Sequence, residues 1–279
     1  MKYFVKHSLS VLLLFALASG TQALYSQSTA THHSQAEMEE FLLNAKILEH
    51  KSLAMGVTNS ERAVLSNGTL QHDAHIQTIN ESKSSFTSNR GTELNFKDTY
   101  KYNIAAYRLG KILDLDMIPV SIERKAAGKS AAITWWVDDT VMTELDRKKK
   151  ELEPPDKDSW NKQMYVVRVF DQLIYNTDRN LGNLVIDKKW QIWMIDHTRA
   201  FRLMEKLQNE KNLVQCDRKF LASLRKLDEG AMMDQLQPFL TKGEIKAVLK
   251  RRDLIVKFFE KEIAAKGEAA VLYDLPPRT

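Results

Sequence analysis

Asp178, Asn183 and Asp196 are the residues of this 279-residue chain whose types and spacing point to chemistry. They lie five and thirteen positions apart, in a stretch that reads as helix, polar loop and two short apolar runs. Carboxylate and amide oxygens are hard donors of the kind a divalent cation takes, and a carboxylate outside the cation's shell can orient a hydroxyl nucleophile. Taken singly, each has a plainer reading, with Asp178 and Asn183 as turn formers and Asp196 as a cap at a strand end.

The elements that must position them are marked by their own patterns. Val166, Val169, Phe170 and Leu173 recur at helical spacing, which predicts a helix with one buried face that stops near Tyr175. Residues 176–183 are mostly turn formers and predict a loop held by bonds to its own backbone. Residues 184–186 and 191–195 then predict two strands joined at 187–189, the second delivering Asp196 at its end.

An Asp-x-x-x-x-Asn loop, a hairpin and then an Asp, in that order, resembles the catalytic segment of the protein-kinase-like superfamily. The resemblance implies that Asp178 accepts the acceptor hydroxyl's proton while Asn183 and Asp196 hold Mg²⁺ or Mn²⁺ on the phosphates of ATP. Asp178-Arg179, with no His-Arg-Asp opening, is closest to the phosphatidylinositol 3- and 4-kinase, HipA-type and secretory-pathway kinase branch, and places Arg179 beside the catalytic Asp178. Where that superfamily has Asp-Phe-Gly, this chain has Asp196-His197-Thr198, which keeps the metal ligand and removes the Phe. Arg199 then either contacts phosphate or braces a loop carboxylate.

The same resemblance organises the rest of the chain as α+β, a two-lobed kinase-like fold with a small β-rich amino lobe over residues 39–138 and a mainly helical carboxy lobe over 139–279. Strands are expected at 45–48, 62–65 and 70–77, with a turn at Ser66-Asn67-Gly68. Between the first two strands, Gly56, Thr58, Asn59 and Ser60 are candidates for phosphate contact, although an ordinary surface turn is an equally good local reading. Gln77 falls where the superfamily has a phosphate-pairing Lys, and Asn103 where the Lys has its Glu partner on a helix over 98–109. A Gln77–Asn103 amide pair would leave no buried unpaired charge, but a neutral bond is about half as strong as a charge-assisted one. Lys83, Glu93, Lys97 and Lys101 are the other groups able to stand in. His72 and His75 point to opposite faces of their strand, which excludes a two-His metal site. Strands over 117–124 and 131–137 lead to a hinge, where Trp136 is the candidate for the adenine side and at least one of Trp135 and Trp136 belongs to the core.

Beyond the loop, helices are expected at 217–227, 231–240 and 242–266, the last opened by a Thr241/Glu244 capping box. Lys2 and Lys6, the apolar run 11–18 and Thr21-Gln22-Ala23 have the form of a secretory leader over residues 1–23, with an uncleaved anchor as the other possibility. Export to the periplasm or the extracellular space follows from it. Residues 24–38 lack periodicity and read as a flexible terminus. After leader removal no segment is long and apolar enough to span a membrane, and the formal charge falls from +5 to +3. That charge is too small, and too spread along the chain, to mark a nucleic-acid partner. Arg147-Lys148-Lys149-Lys150 reads as a solvated face, and the single Cys216 as structural. The partners expected are therefore a nucleotide and a hydroxyl-bearing acceptor of unknown kind. A catalytically weak pseudokinase and a nucleotidyl transferase on the same fold are the rival readings.

Overall fold

The computed structural model describes residues 33–52, 60–88 and 91–278. Gln35–Asn44 (α1) opens the fold, entered through a capping box in which Ser34 and Glu37 bond each other's backbone N–H. Residues 35–38 are therefore helical rather than part of a flexible terminus, and residues 39–44 are helical rather than strand. The box satisfies two N–H groups of the first turn, and Phe41 and Leu42 bury the helix against the sheet that follows.

Lys46–Ser52 (β1), Ser60–Ser66 (β2) and Gln71–Gln77 (β3) form an antiparallel meander. Asn80–Ser88 (β4) and Gly91–Thr99 (β5) follow as a separate two-stranded hairpin. After Lys101–Ile112 (α2), Ser121–Ala126 (β6) and Lys129–Trp135 (β7) complete a five-stranded sheet in the order β1-β2-β3-β7-β6. By strand pairing, Ala63, Leu65, Ala74, Ile76, Ile133 and Trp135 share one buried face, and Arg62, His75, Gln77, Ala132 and Thr134 share the other. His72 stacks on Trp135 at 3.6 Å on the first face, so the two histidines do lie on opposite sides.

The second lobe begins when the chain leaves that sheet. Thr140–Thr143 (β8) pairs with Leu184–Asp187 (β9), which pairs with Ile192–Met194 (β10). Glu144–Lys149 (α3) and Lys157–Ile174 (α4) lie between β8 and β9. Arg147 of α3 is buried, not solvated: it is paired with Glu144 at 2.6 Å and lies 5.0 Å over Trp160. Cys216–Asp217 (β11), Arg218–Lys226 (α5), Glu229–Leu236 (α6), Lys242–Lys266 (α7), Glu268–Val271 (α8) and Leu272–Tyr273 (β12) complete the lobe. The Thr241/Glu244 capping box opens α7 as its sequence requires. Val166, Val169, Phe170 and Leu173 of α4 meet Ile245, Val248, Ile255 and Phe259 of α7 in one core. Among the described residues no helix is long and apolar enough to cross a membrane.

Candidate active site

α4 runs into the core and stops where Tyr175 turns left-handed at φ 50°, which releases the chain into the polar loop. The loop is tied at both ends by its own amides. Asn176 accepts the Asp178 N–H at 3.0 Å and donates to Asp171 at 3.1 Å, while Asn180 accepts the Gly182 N–H at 2.9 Å. Asn183 Nδ2 reaches back to the Asp178 carbonyl at 3.3 Å. That contact commits the amide nitrogen to the loop and leaves the amide oxygen for other contacts.

Arg179 locks this loop to the strand that carries Asp196. Its Nε pairs with Asp171 at 2.9 Å, and its Nη1 donates to the carbonyls of Asn183 and Ile195 at 2.8 Å each. The Ile195 N–H donates in turn to the Asn183 carbonyl at 3.1 Å. Asn183 and Asp196 are therefore brought together through one backbone bond and one guanidinium. With its bonds spent on Asp171 and two carbonyls, Arg179 acts here as a brace. Asp196 itself sits at φ 51°, a region a non-glycine residue occupies only when its surroundings hold it there.

His197 points away from the cation side. It is 1% exposed, meets Phe170 edge-on at 6.1 Å, and its N–H donates to Asn103 Oδ1 at 2.7 Å. Burial, and then the charge of Arg179, hold its pKa well below the ordinary 6.5. The imidazole thus fills, uncharged, an apolar place after Asp196. His75, on the Gln77 face of β3, is also depressed by burial, with the charge of Asp196 opposing.

The nucleotide side differs from expectation. Gln77 Nε2 donates to Ser60 at 3.3 Å and Asn103 is spent on His197, so the Gln77–Asn103 amide pair does not form. Gly56, Thr58 and Asn59 lie outside the described residues, and Ser60 is the first residue of β2. Trp136 is half-buried with the Arg62 guanidinium 4.4 Å over its ring. Of the groups able to stand in for the missing Lys and Glu, Lys83 pairs with Glu81 at 2.7 Å and Lys97 with Glu244 at 2.5 Å. Lys101 lines a cavity of about 420 Å³ with Tyr102 and Thr241. Glu93 pairs with Arg202 at 2.7 Å and Arg199 at 3.3 Å, so Arg199 is directed to the β4–β5 hairpin and not to a loop carboxylate.

That hairpin is the part of the site the sequence reading missed. Phe86 and Phe96 lie under the guanidinium of Arg199, at 5.8 and 5.0 Å, and Arg202 donates to the Lys97 carbonyl at 2.7 Å. The Thr99 N–H donates to the Thr198 carbonyl at 3.0 Å, which sets Asp98 beside the Asp196 segment. Asp98 is 8% exposed, and burial pushes its pKa up, with Asp196 adding to the rise and Thr198 and Arg199 opposing it. The signal was the turn-forming sequence Asn89-Arg90-Gly91 between Thr- and Ser-rich runs; with few apolar residues, their alternation has little contrast.

Among the described residues, no three or more His, Cys, Asp or Glu side chains are gathered into a metal cage. Mg²⁺ does not need one, since it is commonly held by one or two carboxylates with substrate phosphates and water completing the shell. The amide oxygen of Asn183 and the carboxylate of Asp196, on segments joined by the Ile195-to-Asn183 backbone bond, fit that role chemically. A second cavity, of about 530 Å³, lies behind the loop, lined by Tyr175, Asn176, Thr177, Arg179, Asn180 and other residues. Cys216 is buried and its thiol is pushed up by burial, which suits a structural residue and not a nucleophile.

Among solved structures, the chain is similar to the golgi casein kinase over 87% of this chain and 79% of that one, at 10% identity and a TM-score of 0.62. A Helicobacter pylori proinflammatory kinase, CtkA, aligns over 82% of this chain and 96% of that one, at 12% identity and a TM-score of 0.44. No protein-family model and no curated protein matches the sequence. The fold is thus α+β and kinase-like, a β-sheet lobe joined to a helical lobe.

Proposed function

We propose that this chain is an exported phosphotransferase that moves the γ-phosphate of ATP to a hydroxyl on a protein, glycan or lipid headgroup. The observation that supports the reading is the lock between loop and strand: Arg179 and the Ile195-to-Asn183 bond tie the Asn183 backbone to the strand end before Asp196, and Asn183 bonds the Asp178 carbonyl. Asn183 and Asp196 would hold Mg²⁺ or Mn²⁺, whose part is to neutralise charge on the phosphates. Asp178 orients the acceptor hydroxyl and takes its proton, and Arg179 positions Asp178 by holding the loop. Export rests on the leader-like residues 1–23, which lie outside the described residues.

A weakly active or inactive nucleotide-binding module is the second reading, favoured by Gln77 and Asn103. Neither is charged, and Asn103 is committed to His197. The two readings part on turnover. With [γ-³²P]ATP, Mn²⁺ and a panel of protein, glycan and lipid acceptors, the first predicts label transfer that Asp178→Asn removes while nucleotide binding stays. Binding without transfer to any acceptor or to water would support the second. Transfer of label from [α-³²P]ATP would instead mean nucleotidyl transfer.

A further inference from the structure

The carboxylate of Asp98 has no role in folding that accounts for its burial. It lies at the end of β5, 8% exposed, and its Oδ1 has no hydrogen-bond partner. A buried oxygen left in this way is costly, and such atoms in native proteins usually mark a missing ligand or a function. Its neighbour across the gap is the Asp196 segment. The Thr198 hydroxyl and N–H both donate to Asp196 Oδ1, at 3.0 and 3.4 Å. A hydroxyl has one proton to give, and that of Thr198 goes to Asp196, which leaves Asp98 Oδ1 without a donor. The Arg199 guanidinium is paired with Glu93 at 3.3 Å.

A buried carboxylate oxygen without a donor, on a strand end bonded to the Asp196 segment, is a group that a divalent cation would satisfy. Asn103 cannot supply that charge, since it is neutral and its oxygen is bonded to the His197 N–H. We propose that Asp98 is a second carboxylate ligand of the divalent cation held by Asp196 and Asn183, supplied by the β4–β5 hairpin where α2 carries only an amide. The inference rests on the metal site of the proposed function and adds to it a ligand from an element that stands apart from the five-stranded sheet.

Mn²⁺ without nucleotide is the probe, followed by loss of the free-ion electron paramagnetic resonance signal, on the full chain and its isosteric variants Asp98→Asn and Asp196→Asn. The wild type is expected to take up Mn²⁺, with affinity lowered at least about tenfold by either variant, the scale on which even outer-shell changes act. If Asp98→Asn titrates like wild type and Asp196→Asn does not, Asp98 is no ligand and the metal site stands without it. If neither variant differs from wild type, or the wild type takes up no Mn²⁺, the Asp98 assignment is overturned; if ATP with Mn²⁺ also leaves the melting temperature unmoved, the metal reading falls with it. Should Asp98→Asn not fold, substoichiometric Mn²⁺ added to the wild type is expected to broaden the amide signals of Asp98 and Thr99 together with those of Asn183 and Asp196. Sharp Asp98 and Thr99 signals beside broadened Asn183 and Asp196 would overturn the proposal.

Discussion

The loop region from Asp171 to Asp196 and the sheet face around Gln77 and Asn103 lie near one another but are built differently. In the loop, buried charge is matched locally: Asp171 by Arg179, and the carbonyls of Asn183 and Ile195 by the same guanidinium. On the sheet face the groups are neutral, and of the charged candidates nearby Lys83, Lys97 and Glu93 are paired with Glu81, Glu244, Arg199 and Arg202. The difference teaches where affinity for a nucleotide has to come from. A neutral hydrogen bond contributes about 0.5–1.5 kcal/mol net and one to a charged group about 1.5–3 kcal/mol, so under the proposed function the metal ligands and not Gln77 would carry the binding.

The contrast is broken most severely at Asp178. Asp178→Asn keeps the loop's shape and removes the proton acceptor, so turnover should drop about 10²–10⁴-fold while the nucleotide-dependent rise in melting temperature persists. Unchanged turnover would remove Asp178 from the mechanism. Next comes the brace. Arg179→Met leaves the Asp171 carboxylate buried without its partner, and urea unfolding should show a loss of about 3–5 kcal/mol. Adding Asp171→Asn in the same chain should recover part of it, which two independent sites would not do.

Smaller effects test the pH behaviour and the sheet face. His197 in the folded chain stays neutral well below 6.5, whereas the unfolded chain takes up that proton near 6.5. The unfolded state therefore binds more protons in acid, so stability is fully present above that pH and falls as pH drops below it, by up to about 1.4 kcal/mol per unit. His75 adds to the slope in the same direction. His197→Phe should flatten the dependence, and an unchanged slope would mean that other groups set it. At the small end, Gln77→Ala should change nucleotide affinity by less than about tenfold, in line with one neutral bond. A larger loss would place Gln77 among the principal ligands and erase the contrast.

The same contrast explains what could be read from residues alone. The loop was legible because helix, turn formers and hairpin are contiguous, and the pattern of each is strong over 165–201. α7 was equally plain, since Thr241 and Glu244 stand at cap spacing before a long apolar stripe. α1 was hidden because its capping box follows a polar, aperiodic stretch and only Phe41 and Leu42 are buried. Arg147 was misread because Glu144 and Trp160, which bury it, are not conspicuous within a run of lysines. The β4–β5 hairpin escaped for the same physical reason: it buries Phe96 on a surface made by Arg199 and Arg202, a hundred residues later in the chain. Contacts of that range leave no local period to find.

The central claim is that a divalent cation on Asn183 and Asp196 binds the nucleotide. Melting the protein with ATP and Mn²⁺ together, with ATP and chelator, and again as Asp196→Asn measures it directly. The account predicts stabilisation near 2.7 kcal/mol when the nucleotide stands at a hundred times its dissociation constant, seen only with metal and only in the wild type. An equal rise without metal or in Asp196→Asn, or none at millimolar nucleotide, would contradict it.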